Sequence, residues 1–306
     1  MTNPSDPVRR RSTYDMLGLL RAAFMPLRHT FAASLSVLGN GAQSAFARHL
    51  DGGYDPYTGN RQAGEGIRIR NLSVRYGERY AIEDLTGEFA PASLTAVVGP
   101  NGAGKSSLLR ALAGVVRPAA GEVICAARAR HRLAFLPQQD ELDRGFPITV
   151  AELVALGDWR NFGAVREPPQ QLAERVFEAL AVVGLPSVAD RQISELSVGQ
   201  FQRALFARLL LLDADVILLD EPFASLDEST SADLLLFLRR WQQEGRTVIA
   251  VLHDLDCVRQ YFPSTILLAR SLIAWGDTSL ALSVDNLARA QKALVSPQHG
   301  TMGRVA

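Results

Sequence analysis

One eight-residue stretch constrains this chain more than any other: Gly99-Pro100-Asn101-Gly102-Ala103-Gly104-Lys105-Ser106, followed by Ser107. It fits the pattern GxxxxGK[ST]. At a glycine usage of about 7%, roughly one chain in a hundred of this length carries such a match by chance, so the flanks decide. Upstream, Leu94-Thr95-Ala96-Val97-Val98 reads as a buried strand. Downstream, Ser106 to Ala113 reads as a helix, and Gly114 stands where a C-cap belongs. Glycines in such a loop let backbone N–H groups turn toward phosphate oxygens, and the helix N-terminus adds its partial positive charge. Lys105 supplies a point charge for the β- and γ-phosphates. The Ser106 hydroxyl is an expected Mg²⁺ ligand.

Further apolar, β-rich runs follow at Val216–Leu219, Thr247–Leu252 and Thr265–Leu268, alternating with helical patterns. That texture predicts a largely parallel sheet covered by helices. Two of the runs end in chemistry. Val216–Leu219 leads into Asp220-Glu221-Pro222, and Val248–Leu252 into His253-Asp254. Both deliver their side chains to the C-terminal edge of the sheet, where open α/β sheets bind ligands. Asp220 is placed to hold Mg²⁺, directly or through water. Glu221 is the natural general base for an attacking water. A neutral His253 imidazole arriving at the same edge can bond the γ-phosphate and hold Glu221 and the water.

The 306-residue chain divides into three parts. Residues 1–66 form an N-terminal extension. There Arg9, Arg10 and Arg11 precede a helical stripe (Leu17, Leu20, Phe24, Leu27, Phe31, Leu35, Leu38) interrupted by Pro26, and a glycine-rich linker runs from Asp51 to Gly66. Arg21 and Arg28 break the apolar core a secretion signal would need. A poorly ordered extension and an amphipathic helix on a membrane surface both remain open for it. Residues 67–283 form the main domain, with a helical insert at about 142–195 built on Val150–Leu156 and Leu172–Val183. A C-terminal helix and tail, 284–306, complete the chain.

Composition removes several function classes. Lys+Arg and Asp+Glu both number 32, so no overall field attracts nucleic acid. Cys125 and Cys257 are too few and too distant for a disulfide framework or a cysteine zinc site. The five histidines show no pair at ligand spacing. No apolar run reaches the length of about 18 residues that crosses a bilayer. Lysine occurs only as Lys105 and Lys292, and the first sits in the glycine-rich loop.

In their order, these motifs resemble the ATP-binding subunits of ABC transporters over about residues 67–280. The resemblance implies a P-loop NTPase α/β fold with a mostly parallel sheet, an antiparallel β subdomain and a helical subdomain. It implies that Tyr76 stacks on adenine. It also implies that Gln138, in Phe135-Leu136-Pro137-Gln138, senses Mg²⁺ and the γ-phosphate and links to the membrane subunit. Leu196-Ser197-Val198-Gly199-Gln200 matches the family's signature motif, Ser225-Leu226-Asp227 the loop that crosses the dimer, and His253 the switch histidine. Ser197 and Gly199 precede a helical run from Gln200 to about Leu212, an anion site built from a hydroxyl and bare backbone. In the family this end caps the ATP held by the other subunit, which implies a head-to-tail homodimer closing on two ATP molecules. The family more often has glycine at the position of Val198. A β-branched residue resists positive φ, so Val198 is expected to hinder closure mildly.

Gly104 to Leu196 leaves room for a small helical insert and not for the long coiled coil of the chromosome-condensing relatives. One cassette is present, where the translation-factor relatives carry two. No fused membrane segment is evident. These features predict a separate ATPase on the cytoplasmic face of the inner (plasma) membrane, docked on permease subunits and served by a periplasmic or surface binding protein. Arg144–Gly157, and the run from His253 to Ala274-Trp275-Gly276, are similar to zinc and manganese uptake ATPases and most of all to the zinc-transport subgroup called AztA. Import of a siderophore or another solute, or a non-transporting ATP-dependent switch, stays open beside metal import.

Overall fold

The computed structural model describes residues 66–129, 132–162, 171–212, 214–224 and 226–295. The extension expected over 1–66 lies outside them except for Gly66, and so do Ser225 and the tail beyond 295. The described residues fall into two compact units, 143–212 and the remainder.

The larger unit holds two sheets. Strands β1 (Ile67–Tyr76), β2 (Arg79–Phe89) and β4 (Ala120–Ile124) form an antiparallel sheet in the order β2-β1-β4. Strands β3 (Leu94–Val98), β5 (Leu133–Leu136), β6 (Val216–Asp220), β7 (Thr247–Val251), β8 (Ser264–Ala269) and β9 (Ser271–Asp277) form the second, in the order β5-β6-β7-β3-β8-β9. All its neighbours pair in parallel except β8 and β9. Every residue of β3, β6 and β7 is buried, which is why these strands read as unbroken apolar runs.

The alternating runs 67–70 and 72–76 are one strand. A bulge at Asn71, with φ +46°, separates them, and the Asn71 side chain donates to Asp84 Oδ1 at 2.8 Å. Inward-facing Ile67, Ile69, Leu72 and Val74 meet Leu108, Leu109 and Leu112 of α1 (Lys105–Ala113) in one core. The C-terminal helix 284–295 packs on β8 and β9.

The smaller unit is a helical bundle of α2 (Val150–Ala155), α3 (Leu172–Val182) and α4 (Val198–Leu211). It runs on through α4 and past the boundary expected near 195, because α4 packs against both α2 and α3. Gly157, in the turn after α2, permits a further close approach to α4: a Cβ there would stand 2.3 Å from the Arg208 carbonyl oxygen. Asp158, 2% exposed, is paired with Arg175 at 3.0 Å. Burial pushes its carboxyl up, and the Asn161 hydrogen bond opposes that.

Candidate nucleotide site

Four neighbouring strands of the parallel sheet bring the sequence-predicted groups to one edge. In the order β5, β6, β7, β3 they end in Gln138, Asp220-Glu221, His253 and the loop 99–104. Parallel register keeps these ends level, with Leu136 opposite Leu219, Asp220 opposite Val251 and Val97 opposite Val251. Residues as far apart in sequence as Gly99 and His253 thereby share one site.

The loop turns through glycines at positive φ: +151° at Gly99, +79° at Gly102 and +96° at Gly104, which is the N-cap of α1. Their reasons differ. A Cβ on Gly99 would stand 2.1 Å from the Leu268 carbonyl oxygen, and one on Gly104 would stand 2.2 Å from that of Ala81. These two glycines seat the loop on its own fold. Gly102 has nothing within 4 Å of its Cβ position and is the open side of the loop. Ala103 is buried, and its carbonyl accepts from Arg270 N at 2.8 Å. The first N–H groups of α1 have no partner within the helix, as at any helix start. Pro100 and Asn101 lie on the open crest, and Ser107 is buried at 8% exposure on α1.

Lys105 is 6% exposed, and its Nζ donates to the carbonyls of Gly99 at 2.9 Å and Pro100 at 3.2 Å. Burial holds its pKa below the usual lysine value, and the charges of Glu221 and Asp220 pull the other way. Ser106 Oγ donates to Asp220 Oδ1 at 3.2 Å. Asp220 is 1% exposed, and its Oδ2 is buried without a hydrogen-bond partner. Burial raises its pKa, Glu221 adds to the rise, and Ser106, Arg110 and Lys105 oppose it. A hydroxyl beside a buried carboxylate with an unused oxygen is a donor set that suits a hard cation such as Mg²⁺.

Glu221 carries the tightest cluster. Gln138 Nε2 donates to its Oε1 at 2.6 Å, and His253 Nε2 meets the same oxygen at 2.6 Å. With the carboxylate as acceptor, this contact requires the imidazole tautomer that carries its proton on Nε2. Glu221 itself sits at φ +52°, a conformation a non-glycine residue adopts at a cost, and its N–H donates to Val251 O at 3.2 Å. The strand-end turn therefore aims the side chain at the meeting point of the Gln138 and His253 side chains.

The remaining predicted residues sit apart from this cluster. Tyr76, 47% exposed, ends β1 opposite Arg79. The β1–β2 hairpin adjoins the loop through the Ala81 carbonyl. Asp227 caps the helix α5 (Glu228–Gln243), accepting from Thr230 N at 2.8 Å. Ser197, Gly199 and Gln200 belong to the helical unit. Ser197 caps α4, with Gln200 N donating to Ser197 Oγ at 3.2 Å and Ser197 N to Gln200 Oε1 at 3.0 Å. Val198 is the first residue of α4 and is not among the described non-glycine residues with positive φ. The expectation that its β-branch opposes the backbone is therefore corrected: position 198 asks for right-handed φ, which valine adopts freely. Sequence reasoning passed over Arg110, which pairs with Glu141 just after Gln138 and helps offset the charge of Asp220. Its only sequence signal is a cation in the last turn of α1.

The profile described as ABC transporter matches residues 82–224. The manganese transport ATP-binding protein MntB of Listeria innocua is 38% identical over 225 residues, 72% of this chain and 94% of that protein. The chain belongs to the ABC transporter ATP-binding family. The zinc transport ATP-binding protein TroB of Treponema pallidum is 36% identical, over 75% of this chain and 88% of its own length. Among solved structures, an inward-facing transporter described as of metal-chelate type aligns at a TM-score of 0.65 with 27% identity, over 75% of this chain and 89% of that one. An ABC transporter cassette in its ADP conformation, 22% identical, shares the fold at a TM-score of 0.61, over 74% of this chain and 98% of that one. The expected architecture, a P-loop sheet with an antiparallel β subdomain and a helical subdomain, is thus the family's own. The chain is an ATP-binding cassette ATPase of the transport-coupled kind.

Proposed function

We propose that this cassette hydrolyses ATP to drive import of a divalent metal ion, manganese or zinc, through membrane permease subunits. Lys105 and the start of α1 bind the β- and γ-phosphates, Gly99 to Ser107 form their cradle, and Tyr76 stacks on the adenine. Glu221 takes a proton from the attacking water, while Gln138 and His253 fix its Oε1. Ser106 and Asp220, with Gln138, would hold Mg²⁺, which supplies charge neutralisation at the phosphates. Ser197, Gly199 and Gln200 of a second copy cap the γ-phosphate in a head-to-tail homodimer, with Asp227 in the loop that crosses between subunits. The cassette works peripherally on the cytoplasmic face of the membrane, served indirectly by a substrate-binding protein outside.

The observation that carries this reading is the meeting of Gln138 and His253 on one oxygen of Glu221, beside Asp220 at the end of β6 and its partner Ser106 at the start of α1. The metal rests on similarity to MntB and TroB. The test is uptake into proteoliposomes containing the cassette, its permease and its binding protein. Radioactive Mn²⁺ or Zn²⁺ should accumulate with ATP and fail to accumulate with Lys105→Ala. Uptake of a ferric siderophore with neither free ion moving would replace the metal reading, and no transport despite nucleotide binding would favour a switch.

A further inference from the structure

The segment that leaves Gln138 is held at both ends, each end within its own unit. At the front, Glu141 pairs with Arg110 of α1. At the back, the Arg144 guanidinium donates to the carbonyl of Leu196 and lies 5.2 Å over the ring of Phe201. Leu196 immediately precedes the N-cap Ser197, and Phe201 is in the opening turns of α4. Both are buried, at 4% and 2% exposure. Between these points the chain following Arg144 is laced to the chain preceding Ser197. Ile193 N donates to Ile148 O at 3.1 Å, Val150 N to Arg191 O at 2.9 Å and Ala151 N to Ala189 O at 2.9 Å.

We infer that Arg144 is a positioning residue for the signature motif: it fixes Leu196 and Phe201, and so sets where the first turn of α4 presents Ser197 and Gly199. This deepens the proposed function and rests on its assignment of Ser197 and Gly199 to the γ-phosphate of a second copy. Helix stability alone does not account for the residue. A cation beside a helix N-terminus opposes the macrodipole, and the capping box of Ser197 and Gln200 already serves two donors at that end. Arg144 Nε is also buried without a hydrogen-bond partner, a cost that a purely structural contact would avoid. What the guanidinium adds is geometry: a rigid fork that lies over a ring while one edge holds a carbonyl. Lysine offers the charge without the plane.

The test uses full-length Arg144→Ala and Arg144→Lys, each alone and combined with Glu221→Gln. Amide hydrogen exchange over 196–201 should accelerate about tenfold in Arg144→Ala, the order expected for one charge-assisted hydrogen bond. Exchange in α2 and α3 should stay at the parent rate. ATP-dependent dimerisation in the Glu221→Gln background, read by sedimentation, should weaken about tenfold, while ADP affinity of the monomer holds and Arg144→Lys falls between. Unchanged exchange over 196–201, or acceleration spread equally through α2 and α3, overturns the inference. If Arg144→Ala does not fold, Phe201→Leu removes the ring and keeps the burial, and the same exchange pattern decides. If Glu221→Gln itself never dimerises with ATP, the dimer reading of the proposed function fails, and the exchange result still decides the role of Arg144.

Discussion

Glu221→Gln separates chemistry from structure unusually well here, because both donors converge on one oxygen. Gln138 Nε2 and His253 Nε2 each lie 2.6 Å from Glu221 Oε1. A glutamine carbonyl in that place can accept from both, so the arrangement survives the substitution. The loss of charge weakens two charge-assisted bonds toward neutral strength, at a cost of about 1–2 kcal/mol. Removing the Glu221 charge that raises the Asp220 pKa returns part of it. At about 2–4 °C per kcal/mol for domains of this size, the melting temperature should fall by about 2–8 °C before that return is counted. Backbone strain does not change, since both residues bear φ +52° alike. Turnover is another matter. A general base contributes about 10²–10⁴-fold, or roughly 3–5.5 kcal/mol of barrier. Phosphate release under saturating Mg-ATP should therefore fall at least a hundredfold, with nucleotide affinity kept. Turnover within about fivefold of the parent, at unchanged melting temperature, would refute Glu221 as the base.

Gly104→Ala should destabilise the chain more than Gly102→Ala in thermal melts: both meet positive φ, worth about 1–3 kcal/mol, but a Cβ on Gly104 also strikes the Ala81 carbonyl at 2.2 Å while one on Gly102 meets nothing within 4 Å; equal losses would show that the close approach relaxes freely. Asp220→Asn should raise the melting temperature at pH 7.5 in chelator without nucleotide, and abolish hydrolysis. Burial raises the folded pKa of Asp220 above its unfolded value of about 3.9, so stability is lost as pH climbs from the unfolded to the folded pKa, and the advantage of the variant should vanish below about pH 4; a variant less stable at pH 7.5 would reverse the sign.

What the sequence disclosed and what it withheld follow from how local each signal is. The loop, its strand and its helix are contiguous, and full burial on both faces makes β3, β6 and β7 unmistakable as apolar runs. β5 is only four residues long and β9 is half-buried along most of its length, so neither carries a period strong enough to read. β2 and β4 show mostly exposed faces, and their identity comes from pairing with β1 across distance. Glu221 and His253 were legible as strand-end residues and Gln138 only through the family resemblance, yet no spacing could say that Gln138 and His253 would address the same oxygen. That needs the strand order β5-β6-β7, which is a property of the sheet.

Val198 shows the opposite failure. The resistance of β-branched residues to positive φ is no objection at this position, where the backbone is right-handed. Val198 instead stands 43% exposed at the first position of α4. Any effect of valine on closure must then act through its side chain against whatever approaches Ser197, and it would be cured by alanine as fully as by glycine.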